Sequence, residues 1–105
     1  MAFARLCRAF IKRLPQSLAN HEDARQLIRS SGSVGANYID ANESLSKKDF
    51  RMRVKIARKE AKETRYWARL VDTGQAADVD EQRDRIVQES TELMNILGAI
   101  LRNSQ

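Results

Sequence analysis

Residues 46–71 read SKKDFRMRVKIARKEAKETRYWARLV, an unbroken run without Gly or Pro. Within it Phe50, Val54, Ala57, Ala61, Thr64, Ala68 and Val71 alternate spacings of four and three, the period of a helix with one packing face. A second row, Lys48, Arg51, Lys55, Arg58, Lys62, Arg65 and Arg69, alternates three and four. At about 100° per residue the basic row lies roughly 120° around the cylinder from the apolar one. One rod therefore carries a packing seam and a cationic seam. Ser46 is the expected N-cap, with Asp49 three residues on, and Gly74 the expected residue just past the helix end.

Three further helices follow from the flanking sequence. Phe3, Leu6, Cys7, Phe10, Ile11 and Leu14 make one apolar helical face, closed by Pro15. Asn20 followed by Asp23 predicts the start of a second helix, which carries Leu27, Ile28, Ser31, Val34, Gly35, Tyr38 and Ile39 on or near one face. In a fourth helix, capped by Asp78 or Asp80, Ile86, Ser90, Leu93, Leu97 and Ile100 again alternate four and three. No segment alternates like a strand. Four amphipathic helices with short joints predict an all-α, antiparallel up-and-down four-helix bundle occupying one domain, residues 1–105.

Charge is segregated along the chain. Residues 46–71 hold ten Lys and Arg against three carboxylates, and residues 1–20 hold four against none. The segments 21–45 and 72–105 are acidic. A positive field concentrated in this way points to a polyanion, RNA or DNA. The bland alternative is a solvated face beside acidic neighbours in the same bundle. The rival function is a homo-oligomeric protein-assembly module with no nucleic-acid ligand, in which the basic row meets Asp84, Glu89 and Glu92 of the fourth helix or a partner protein. No apolar run approaches the roughly 18 to 20 residues that span a bilayer. The basic N-terminal stretch MAFARLCRAFIKRLP has no continuous apolar core and no small-residue cleavage site. A cytoplasmic protein with no membrane association is expected, with Cys7 reduced.

Between the two seams of the third helix runs a mixed row, Met52, Ile56, Glu60, Glu63, Trp67 and Leu70. A small monomeric bundle would leave that sector polar, so Met52, Ile56, Trp67 and Leu70 are candidates for a homo-oligomer interface. Trp67 equally suits the bundle core. Asn37, Asp40, Glu60 and Glu63 are candidates for a polar network that fixes helix register.

Chemistry-bearing patterns are weak. His21 is the only histidine, and its neighbours Glu22 and Asp23 have the wrong spacing to share a metal on a helix face. Cys7 has no second His to activate it. The glycines of SSGSVGAN, Gly32 and Gly35, match neither a dinucleotide fingerprint nor a P-loop, and suit close helix approach better. No catalytic residue, cofactor, metal or small-molecule substrate is expected.

The runs SSGSVGANYIDANESLSKKDF and IARKEAKETRYWARL resemble the 23S rRNA-intervening sequence protein family. The family pattern Ser-(Ile/Val)-Gly-Ala-Asn-Ile-Ala-Glu-Gly corresponds to Ser33, Val34, Gly35, Ala36, Asn37, Tyr38, Ile39, Asp40 and Ala41, with departures at the last four. Its Ser/Lys-Asp/Glu-Phe element corresponds to Ser46, Lys48, Asp49 and Phe50, and its helical Glu to Glu63. The resemblance implies a four-helix bundle that assembles as a homopentamer. It implies no established activity, although relatives are associated with rRNA gene insertions and a related retroelement accessory protein binds nucleic acid.

Overall fold

The computed structural model describes residues 2–105. Four helices run in chain order: α1, Ala2–Ile11; α2, Leu18–Asn42; α3, Lys47–Leu70; and α4, Ala77–Asn103. Each packs on its sequence neighbour, and α1 also meets α4, which closes the ring of an up-and-down bundle measuring 45 × 20 × 19 Å. At about 1.5 Å per residue, α1 is less than half the length of the other three. The interior divides accordingly. Phe3, Cys7 and Phe10 of α1 join Leu27, Val34, Ala61, Ala68, Val71, Val79 and Ile86 in one core cluster. A second cluster, Ala41, Val54, Ala57, Leu97 and Leu101, has no α1 residue. Beyond the start of α1 an open apolar groove of about 670 Å³ separates α2 from α4, lined in part by Phe3, Tyr38, Ile39, Leu93 and Ile96.

The seam of α3 is the packing face. Val54, Ala57, Ala61, Thr64 and Ala68 are each 0% exposed, and Val71 is buried beyond the last turn. Small residues there let α2 and α4 approach closely. Helix α2 forms through its Ser and Gly run despite poor propensity, because tertiary contacts favour it. Ser30 and Ser31 are fully buried. The Thr64 hydroxyl lies 2.8 Å from both Ser30 Oγ and the Glu60 carbonyl oxygen. A carbonyl only accepts, so Thr64 donates to it and accepts a hydrogen bond from the Ser30 hydroxyl. Gly32, by contrast, has open space where a Cβ would sit.

Four helix ends differ from expectation. Helix α1 stops at Ile11, and the chain reaches Pro15 through turns in which the Arg13 and Leu14 N–H groups donate to the Phe10 and Ile11 carbonyls. Ser17, not Asn20, caps α2, its Oγ accepting the Asn20 N–H at 3.1 Å. The Asn20 side chain is instead buried between two connections: Nδ2 donates to the Pro15 and Asp72 carbonyls at 2.9 and 2.8 Å, and Oδ1 accepts the Asp72 N–H at 2.9 Å. Helix α3 stops at Leu70, because Val71 turns to extended backbone and buries its side chain. Gly74 then takes a φ of +71°, and a Cβ there would meet Pro15 Cγ at 2.9 Å. Helix α4 begins after Ala76, with no side-chain cap. Asp78 and Asp80 lie inside its first turn, where Asp80 accepts the Thr73 hydroxyl and Asp78 pairs with Arg13. Ser46 caps α3 as expected, accepting the Asp49 N–H at 3.0 Å. Among the described residues no helix is long and apolar enough to cross a membrane.

Candidate nucleic-acid interface

The cationic row of α3 lies on its α4 flank, and the fold divides it into two kinds of residue. Arg51 and Arg65 are half-buried and hold α4. Arg51 Nη1 donates to the Leu101 carbonyl at 2.5 Å and to Ser104 Oγ at 2.6 Å. Arg65 Nη1 donates to Thr91 Oγ1 at 3.1 Å. The Arg51 contacts place a guanidinium charge at the C-terminal end of α4, where exposed carbonyls favour it. The other five, Lys48, Lys55, Arg58, Lys62 and Arg69, are exposed, and none forms an ion pair among the described residues.

The acidic side chains of α4 do not neutralise this row. Glu89 pairs with Arg85 at 3.4 Å, and Glu92 accepts from Gln88 at 3.3 Å. Asp84 is exposed. Between α3 and α4, Lys55, Arg58, Lys59 and Lys62 wall an open groove of about 500 Å³ over Met94 and Leu101. Tyr66 is 58% exposed and stands edge-on to Trp67, with ring centroids 5.0 Å apart.

The mixed row of α3 is divided as well. Met52 and Leu70 are exposed on its outer edge, 49% and 52%, and Ile56 is half-buried. Trp67 leans against the first core cluster, with its Nε1 buried and unpartnered. Tyr66, the residue before it, is exposed at the border of the cationic row.

Asn37, Asp40 and Glu63 belong to two polar clusters rather than one network, each organised by an arginine that the sequence pattern did not single out. Arg53 Nη1 donates to Asn37 Oδ1 at 3.3 Å and lies 3.7 Å from Asp40. Asn37 Nδ2 in turn donates to the Ser33 carbonyl at 2.9 Å and to Ser33 Oγ at 3.0 Å. Nearer the other end of α2, Arg29 holds Glu60 at 2.8 Å and Glu63 at 3.1 Å. Burial, and then the Glu63 charge, push the Glu60 carboxyl above its usual pKa, against the pull of Arg29. Both clusters tie α2 to α3. The signal for Arg29 and Arg53 was only their basic character opposite acidic positions on a neighbouring helix.

No group of His, Cys, Asp and Glu among the described residues is arranged to hold a metal ion. Burial pushes the Cys7 thiol up to about 11, so little of it is thiolate at neutral pH.

A four-helix bundle with a cationic edge on its third helix is thus the class that fold and charge define. The chain belongs to the 23S rRNA-intervening sequence protein family, whose model matches residues 1–99. A crystal structure from Bacteroides thetaiotaomicron, described as a protein with unknown function from the S23 ribosomal protein family, is 32% identical with a TM-score of 0.77. The match covers 95% of this chain and 92% of that one. No curated protein matches the chain.

Proposed function

We propose that this protein is a non-enzymatic, cytoplasmic accessory module that self-associates and binds RNA through the α3 edge. The observation that carries the reading is the row Lys48, Lys55, Arg58, Lys62 and Arg69, five exposed cations on one rigid helix without carboxylate partners. Successive members advance about 5 to 10 Å along the axis, a spacing suited to following phosphates without reading sequence. The exposed Tyr66 ring and the apolar groove floor of Met94 and Leu101 suit an unpaired base. The family's name links it to an intervening sequence of 23S rRNA, which makes RNA the first ligand to test.

The test is binding of a short mixed-sequence single-stranded RNA at low salt, followed by fluorescence anisotropy. Lys55→Gln, Arg58→Gln and Lys62→Gln together are expected to weaken binding by about tenfold or more and to flatten its salt dependence. Undetectable wild-type binding, or a triple variant with wild-type affinity, refutes the reading. Self-association rests on the outer edge of α3, where Met52 and Leu70 are about half exposed on a helix otherwise rich in charge.

A further inference from the structure

Gly98 is a buried glycine in the interior of α4, where propensity disfavours it relative to Ala. A Cβ would be in ordinary contact there, and what it would touch is the ends of two side chains. A Cβ at this position would have Arg102 Nη1 at 3.5 Å and the Cζ and Nε of Arg58 at 3.6 Å. The three nearest atoms thus belong to two guanidinium groups, one from α3 and one from the last turn of α4. Both side chains are exposed, and neither takes part in a hydrogen bond or ion pair among the described residues. The ion pairs that do form use Arg13, Arg29, Arg53, Arg83 and Arg85.

Two like charges brought together over one backbone position repel, and nearby Lys55, Lys59 and Lys62 add to the field. The C-terminal carbonyls of α4 offset part of this, but Arg51 already occupies the Leu101 carbonyl. From this convergence we infer that Arg58 and Arg102, spread over Gly98, clamp a phosphate group. Each guanidinium offers a planar fork of N–H donors that fits two phosphate oxygens, and an anion between them converts the repulsion into attraction. The clamp opens beside the cationic groove of α3 and α4, so it supplies an anchoring point on the same surface. Its natural ligand, a backbone phosphate of RNA, rests on the function proposed above. Its affinity for phosphate does not.

The discriminating variant is Gly98→Leu. It removes no charge and improves helix propensity, while filling the space in which the two guanidinium groups converge. Tripolyphosphate binding is measured by calorimetry and single-stranded RNA binding by anisotropy. Gly98→Leu is expected to weaken both about tenfold. Arg58→Ala with Arg102→Ala is expected to weaken RNA binding more than Arg5→Ala with Lys12→Ala, which removes the same formal charge from exposed positions in and just after α1, outside the α3 row. Tripolyphosphate bound and lost in Gly98→Leu, with no RNA binding, upholds the clamp and refutes the RNA reading. RNA bound with wild-type affinity by Gly98→Leu refutes the clamp and leaves the RNA reading intact. Equal losses in the two double variants also refute the clamp, because summed charge then accounts for binding.

Discussion

Glu60 has a buried side chain, and its carboxylate is 2.8 Å from a guanidinium that it shares with Glu63. Its folded pKa is raised above the ordinary value of 4.5, with burial the largest cause, so the folded chain binds this proton more tightly than the unfolded chain does. The contribution of Glu60 to stability is therefore fully present below 4.5 and is lost as pH rises through the folded value. Glu60→Gln keeps an oxygen for Arg29 to donate to and removes the buried charge. The variant is expected to melt about 2 to 5 °C above the wild type at pH 7, with the advantage shrinking as pH falls through the folded value and gone below 4.5. Calorimetric scans across that range decide it. A lower Tm at pH 7 would mean that the Arg29 pair outweighs the cost of burial. Arg51 and Arg58 make a related contrast seven residues apart on one helix, since one is bound to a carbonyl and the other is unpaired.

At the scale of elements, the two connections at one end of the bundle are joined by a single side chain. Asn20 satisfies the Pro15 carbonyl and both backbone groups of Asp72, and it is 4% exposed. Asn20→Ala removes three hydrogen bonds that tie the two connections together and empties a buried site, at a cost of about 2 kcal/mol, roughly 10 °C in Tm. Ser17→Ala loses only the cap of α2, about 1 kcal/mol. Thermal denaturation of the two variants checks this, and an Asn20 loss no larger than the Ser17 loss would show that the joint carries no weight. The same two residues show which features are legible in the sequence. The α3 seam and its Ser46 cap are legible because both depend on residues three or four apart. Asn20 has the local signature of a cap, but the partner that claims its side chain lies 52 residues away. The end of α3 falls earlier than Gly74 suggests for a similar reason: Val71 leaves the helix to reach the core, and Gly74 turns only afterwards, against Pro15.

At the scale of the molecule, the sequence displays the charge of α3 but not its distribution between structure and solvent. Lys48, Lys55, Arg58, Lys62 and Arg69 are legible as exposed cations. Nothing local ties Arg51 to a carbonyl 50 residues on, or brings Arg102, in an acidic segment, beside Arg58. The outer edge of the same helix has a different consequence. Met52 and Leu70 lie about 18 residues apart, roughly 27 Å at 1.5 Å per residue, with Ile56 and Tyr66 between them. An apolar row of that length, interrupted by Lys59 and Glu63, suits a second copy of the chain better than water. The native mass of the protein is expected to be a multiple of 12.0 kDa. Met52→Glu with Leu70→Glu is expected to reduce it to the single-chain mass. Both side chains are about half exposed, so the variant should melt within about 0.5 kcal/mol of a monomeric wild type. Light scattering after size exclusion reads the mass. A wild type that is already monomeric at tens of micromolar, or a double variant that keeps the wild-type mass, would remove the α3 edge as the interface, and the RNA reading would then rest on a single cationic row per particle or on an assembly built through another face.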